Sequence, residues 1–315
     1  QISQLPTEFE VMGTKCPKAN QLPDDWFFIR HGKRVLDRSR YQLDFRNPQV
    51  RVFATDVINR LVKEYGIGYI KMDYNIEPGI GTELNADSFG DGLLEHNRAY
   101  LAWLDEIFRK YPNLIIENCS SGGLRMDYAM LSRYSIQSTS DQEDFRRYAT
   151  ISANSPSALT PEQAAIWSYP LEINSAEEVA FNMVNAMLLR IHQSGQLMNL
   201  SPKKLALVKE GIACYKSIRG NIKTALPFWP LGLSHYSDSW VCLGLKTERK
   251  DYLAVWRRDS SSPEICLPVT HLKGKDVTVL LIYPQSGSCQ YQWNKNSACL
   301  SIPSKIGARL FELKY

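Results

Sequence analysis

Between about Asp44 and Asn221 short apolar or β-branched runs alternate with longer stretches in which apolar residues recur at the helical period. That alternation is the pattern of repeated β/α units and predicts a parallel sheet. The strands expected are Gln42–Phe45, Ile67–Asp73, Leu114–Asn118, Tyr134–Ser140 and Ala164–Tyr169. The helices expected between and after them are Pro48–Tyr65, Leu94–Tyr111, Asp144–Ser152, Ala176–Ser194 and Pro202–Ile222. Asn47 before Pro48 and Ser201 before Pro202 act as start signals, because proline at the first helical position gives up no hydrogen bond the helix needs. Past Pro230 the period changes. Trp240–Lys246, Tyr252–Arg257, Glu264–Val269, Val277–Tyr283 and Ala308–Leu313 are short alternating runs separated by Gly, Ser, Pro and Asp, the signature of an antiparallel β-sandwich. The chain is therefore expected to divide into residues 1–230 and residues 231–315.

Composition narrows the function classes. With 44% hydrophobic and 22% charged residues over 315 positions, the chain has ordinary globular values and can bury a large core. A net charge of +4 with no aromatic-interleaved basic surface argues against a nucleic-acid partner. No apolar run approaches the ~20 residues that cross a bilayer, so no membrane partner is expected. The seven cysteines lack C-x-x-C spacing, which points to free thiols and a reducing, cytoplasmic compartment, with a Cys289–Cys299 bridge as the alternative. The five histidines show no ligand-pair spacing, and no metal or cofactor is expected.

The candidate chemistry lies at strand ends. In Tyr69-Ile70-Lys71-Met72-Asp73, alternation puts Tyr69, Lys71 and Asp73 on one face, where Lys71 would favour the ionised Asp73 carboxylate that a nucleophile requires. The plainer account is a surface Lys/Asp pair on an edge strand. Thr139-Ser140-Asp141-Gln142 ends another strand two β/α units later, and strand ends two positions apart are roughly 10 Å apart before the side chains lean inward. This approaches the ~5 to 5.5 Å carboxyl separation of a retaining glycosidase, with the ~6.5 to 9.5 Å of an inverting one as the alternative. For Asp141 the plainer account is a helix N-cap. Between the two carboxylates, Glu117-Asn118-Cys119-Ser120-Ser121-Gly122-Gly123 runs a strand into a glycine-rich turn that lacks the spacing of a phosphate cradle.

Together these segments resemble glycoside hydrolase family 36, the α-galactosidase and α-N-acetylgalactosaminidase family. Its K-W-D-x-N motif is similar to Lys71-Met72-Asp73-Tyr74-Asn75, and its C-x-x-G-x-x-R-x-D motif to Cys119, Gly122, Arg125 and Asp127. Its W-T-S-D-N motif is similar to Ser138-Thr139-Ser140-Asp141-Gln142, and the likeness extends from Gln42 to about Asn221. The resemblance implies a (β/α)8 TIM-type barrel, with about six of its β/α units in this chain and the barrel incomplete at its N-terminus. It implies Asp73 as nucleophile and Asp141 as general acid/base. Lys71, Asn75 and Arg40 would meet sugar hydroxyls, and Cys119 and Gly122 would line the terminal-sugar subsite. Cys119 as a small buried hydrophobe is the alternative. The implied substrate is an oligosaccharide or glycoconjugate ending in α-galactose or α-N-acetylgalactosamine, and the implied assembly is a homo-oligomer.

Met72 and Ser138 stand where the family motifs have tryptophan, so the sugar-stacking surface differs; Trp26 and Trp167 are the candidates for it. Three other functions remain open at this stage. An α-N-acetylgalactosaminidase or a raffinose-synthase-like transglycosylase would use the same two carboxylates. A non-catalytic sugar-binding fragment would keep the fold without turnover.

Overall fold

A computed structural model describes residues 6–7 and 11–315. The chain divides into two compact units, Gln1–Ser138 and Thr139–Tyr315.

In the first unit, Tyr69–Asp73, Ile115–Cys119 and Ile136–Ser138 form a parallel ladder, and Pro6–Thr7 pairs on the other side of Tyr69–Asp73. Helix α1 (Pro48–Lys63) begins where Asn47 accepts the Gln49 N–H. Helix α2 (Phe89–Lys110), capped by Ser88, which accepts the Asp91 N–H, starts five residues before the expected Leu94. Gly90 and Gly92 hid that first turn from a propensity reading. Gly92 is needed there, because a Cβ would lie 2.3 Å from the Thr82 carbonyl. The short helix α3 (Tyr128–Leu131) follows the glycine-rich turn. Strand faces turned to the helices are apolar: Ile70, Met72 and Ile116 pack with Ala54 and Ile58 of α1 and with Tyr100, Trp103 and Ile107 of α2.

One expected strand takes a different place. Gln42–Phe45 was read as a strand of the β/α series, but Arg40–Gln42 pairs antiparallel with Val11–Gly13 and Leu36–Asp37 in a small separate sheet. The polar stretch Arg38-Ser39, both at positive φ, turns the chain back on itself there and supplies a hairpin rather than a β/α unit.

In the second unit, Ala164–Ser168 and Arg190–Gln193 pair in parallel. Helix α4 (Phe145–Asn154) and α6 (Pro202–Ile222) lie close to expectation. The expected helix Ala176–Ser194 is instead helix α5 (Ala176–Met187) followed by the strand Arg190–Gln193. Helix α5 starts at a capping box formed by Ser175 and Glu178 and is buried from Val179 to Met187. It packs against the strand Ala164–Ser168 on one hand and Ile306–Lys314 on the other.

The rest is a β-sandwich. One sheet runs in the order Leu226–Phe228, Trp240–Lys246, Lys250–Arg258, Ile306–Lys314, Thr278–Tyr283, and the other in the order Glu264–Pro268, Ser297–Ser301, Gln290–Asn294. Leu253, Val255, Leu267, Leu300, Phe311 and Leu313 fill the space between them. Cys266 and Cys299 face one another across their ladder and are joined by a disulfide. This corrects both sequence readings of the cysteines: two are bridged rather than free, and the partner of Cys299 is Cys266, not Cys289. The spacing could not show it, since register, not sequence distance, sets which cysteines oppose one another. No helix among the described residues is long and apolar enough to cross a membrane.

Candidate active site

The first unit presents its polar side chains by register. Lys71 is the ladder partner of Glu117, and Asp73 that of Cys119. All four belong to strand faces turned away from the helices. Glu117 is wholly buried, accepts a hydrogen bond from the Tyr69 hydroxyl, and lies 3.8 Å from the Lys71 ammonium. One buried carboxylate and one half-buried one thus share the neighbourhood of a single lysine. The Asp73 Oδ1 is itself buried and meets no hydrogen-bond donor among the described residues.

Beyond the strand ends the chain is cross-tied. Tyr74 N–H donates to Cys119 O at 2.9 Å, and the Ser120 hydroxyl donates to Tyr74 O. Asn75 Oδ1 accepts from both the backbone and the hydroxyl of Ser121 at 2.9 Å each. Ser121 and Gly122 both take positive φ, so the glycine-rich turn folds tightly over the end of its strand. Burial pushes the Cys119 thiol up to about 11; the Lys71 charge opposes this, the Asp73 charge adds to it, and the Gly122 backbone hydrogen-bonds the sulfur. Cys119 is therefore a neutral thiol at physiological pH. Arg125 lies over the Tyr74 ring at 3.8 Å, and Asp127 caps α3 by accepting the Met130 N–H at 3.0 Å.

Lys71, Asp73, Asn75, Cys119 and Gly122 are thus gathered at the ends of two neighbouring strands. Arg40 lies on a strand of the small antiparallel sheet, with Nη1 3.4 Å from Arg38 O. Trp26 packs against Phe53 of α1 at 5.9 Å between ring centroids.

In the second unit, Asp141 is exposed in the segment leading to α4. The cap of α4 is Asp144, which accepts the Arg146 and Arg147 N–H groups, so helix capping does not account for Asp141. Ser140 Oγ accepts the Gln142 N–H at 3.1 Å, and Gln142 Oε1 accepts the Asp144 N–H at 3.0 Å, which shapes the segment. Trp167 stacks on Tyr169 at 6.1 Å and meets His192 edge-on at 5.0 Å. Burial raises the Tyr169 hydroxyl above its ordinary range, and Tyr148, Asp141 and Glu143 add to the effect. Sequence reasoning singled out Trp167 but neither Tyr169 nor Tyr148. Tyr169 could have been found by its i+2 spacing from Trp167, which puts both rings on one strand face.

A parallel sheet that carries its polar residues at the C-terminal strand ends, followed by an antiparallel sandwich, is the arrangement of a (β/α)-barrel enzyme with a C-terminal β domain. Comparison with known proteins specifies it further. The profile of the melibiase family matches residues 5–225. Alpha-galactosidase 2 of Pediococcus pentosaceus is 27% identical over 248 residues, covering 74% of this chain and 33% of that protein. Alpha-galactosidase AgaA of Geobacillus stearothermophilus is 21% identical over 292 residues, covering 88% of this chain and 39% of that protein. The crystal structure of an AgaA variant in complex with raffinose superposes with a TM-score of 0.79 at 17% identity, over 99% of this chain and 44% of that one. The chain belongs to the melibiase family. It spans about two fifths or less of the length of these relatives.

Proposed function

We propose that this chain carries the catalytic half of a retaining α-galactosidase, with Asp73 as nucleophile and Asp141 as general acid/base. Lys71, Asn75, Cys119, Gly122 and Arg40 are the proposed substrate contacts. The observation that carries the reading is the Asp73 carboxylate, whose Oδ1 is buried without a donor at the end of a parallel strand. An unsatisfied buried oxygen costs about 1–3 kcal/mol, and a nucleophile that must stay free to attack accounts for it.

In the first step an Asp73 oxygen attacks the anomeric carbon while Asp141 gives its proton to the departing oxygen, leaving a glycosyl ester on Asp73. In the second, Asp141 as carboxylate takes a proton from water, whose oxygen attacks the same carbon and releases Asp73 with retained configuration. Asp141 must therefore hold its proton more tightly than Asp73. Its exposed position in the second unit allows exchange with solvent between the two steps. The substrate class proposed is an oligosaccharide or glycoconjugate ending in α-galactose, in line with the raffinose held by AgaA.

Release of aryl alcohol from a panel of aryl α- and β-glycosides tests the reading. Asp73→Ala should lower kcat by roughly 10⁴-fold or more, and Asp141→Ala by about 10²- to 10⁴-fold. A 2-deoxy-2-fluoro-galactosyl fluoride should label the peptide that contains Asp73. Turnover that survives in Asp73→Ala, or a label on another residue, sinks the assignment. A folded chain with no turnover of any glycoside would withdraw the enzyme reading for this chain in favour of sugar binding.

A further inference from the structure

The Tyr148 side chain, buried on α4, puts its hydroxyl among three groups. Ser140 O lies at 3.2 Å, Thr139 Oγ1 at 3.3 Å and the Trp167 N–H at 3.1 Å. The Thr139 hydroxyl proton goes to Ala165 O at 2.8 Å. The phenol proton is therefore shared between Ser140 O and Thr139 Oγ1, while a phenol lone pair accepts from Trp167. Ser140 O belongs to the peptide plane that leads into Asp141. Fixing that oxygen fixes the direction in which the Asp141 Cα leaves the plane. The same hydroxyl ties this segment to the strand that carries the Trp167–Tyr169 stack.

Helix α4 is in turn gripped from the sandwich. Arg258, at the end of the strand Lys250–Arg258, donates through Nη1 to Arg146 O at 2.9 Å and Thr150 Oγ1 at 2.8 Å, acceptors two residues either side of Tyr148. Its remaining nitrogens are spent on Asp238 O and His235 O, both at 2.8 Å. A planar fork with four acceptors holds the helix turn in one place rather than merely near it.

We infer that Tyr148 is a positioning residue for Asp141, and that the sandwich holds Tyr148 in place through Arg258. The inference rests on Asp141 being the general acid/base. It makes the β-sandwich part of the catalytic apparatus.

Tyr148→Phe keeps the ring and removes the hydroxyl, and Arg258→Met keeps the reach and removes the fork. In the full chain, a positioning role predicts a dependence on the leaving group. For Tyr148→Phe, turnover of a methoxyphenyl α-galactoside, whose oxygen needs a proton, should fall about tenfold, a fraction of what general acid catalysis supplies. The first step with a dinitrophenyl α-galactoside, whose oxygen leaves unprotonated, should stay within about twofold. Arg258→Met should show the same selectivity to a smaller degree. Amide hydrogen exchange at Gln142 and Trp167 should quicken in Tyr148→Phe while Val255 in the sandwich core keeps its protection. Equal losses with both leaving groups, or no loss with either, would overturn the inference. An inactive parent chain would instead count against the functional reading, and unchanged exchange at Gln142 would then overturn the positioning role on its own.

Discussion

The two units hold their proposed catalytic carboxylates by different means. In the first, the ladder does the work: once Tyr69–Asp73 pairs with Ile115–Cys119 in parallel, Lys71 faces Glu117 and Asp73 faces Cys119 without any further device. In the second, Asp141 sits on irregular backbone shaped by the Ser140 and Gln142 side chains, with the Ser140 carbonyl tied to the Tyr148 hydroxyl and α4 tied to Arg258. The buried titratable groups differ in the same way. In the first unit His96 is pushed below its ordinary range by burial, and its Nδ1 accepts the Phe45 N–H at 3.1 Å, so the folded ring is neutral. Burial would raise Asp44, but the polar groups around the carboxyl, with the Arg46 guanidinium at 2.6 Å as the permanent charge, outweigh it and hold it below its usual value. In the second unit burial pushes the Tyr148 hydroxyl up to about 12 and raises Tyr169 and Tyr283 as well. His96 should therefore make the first unit vulnerable to acid, while the raised Cys119 thiol and the raised tyrosines leave both units vulnerable to base.

The largest effect expected is at the tie between α5 and the sandwich. Arg309 is wholly buried, with Glu177 oxygens at 2.7 and 2.9 Å. Glu177→Ala leaves that cation without its partner and should cost about 3–5 kcal/mol in urea unfolding of the second unit. A loss under about 1 kcal/mol would show that the second unit does not depend on single polar ties. In the first unit, Glu117→Gln keeps an acceptor for Tyr69 but removes the charge facing Lys71, for an expected cost of about 2 kcal/mol. A larger cost than that of Glu177→Ala would reverse the comparison.

Next comes pH. Below the ordinary histidine value of about 6.5 the unfolded chain takes up a proton that folded His96 refuses, so stability of the first unit should fall as pH drops, by up to about 1.4 kcal/mol per pH unit. Asp44 adds a loss only below about pH 4, as its lowered folded value is passed. Exchange of amides in α2 between pH 7 and 5 measures the histidine effect, and His96→Asn should flatten it. The buried tyrosines work in the other direction. Their raised values give stability that is whole below about pH 10 and lost as pH climbs through the folded value. The smallest expected effect is at the α5 capping box, where Ser175→Ala should cost about 1 kcal/mol by thermal unfolding.

Local periodicity was what could be read in the sequence. Strand alternation in Tyr69–Asp73 and the helical period of Pro202–Ile222 are local patterns, and the structure follows both. The strand Arg190–Gln193 was absorbed into a helix because four residues that follow, after Leu188 and Leu189, a helix buried from Val179 to Met187 carry no period of their own. Gln290–Asn294 and Ser297–Ser301 were missed because most of the first strand's residues are exposed and it shows no apolar alternation; Lys295, at positive φ, makes the turn. Tyr148 and Arg258 left no trace for another reason. Their partners are mainly backbone carbonyls and amides far along the chain, and backbone atoms leave no signature in residue identity.

The Arg258 fork also bears on how such proteins can be recombined. A hybrid that joined residues 1–230 of this chain to the sandwich of a relative would separate the guanidinium from the two α4 acceptors it grips. Grafts that respect this pairing should inherit α4 and the strand Lys250–Arg258 together, as a cut at the boundary between the two compact units, Ser138/Thr139, does.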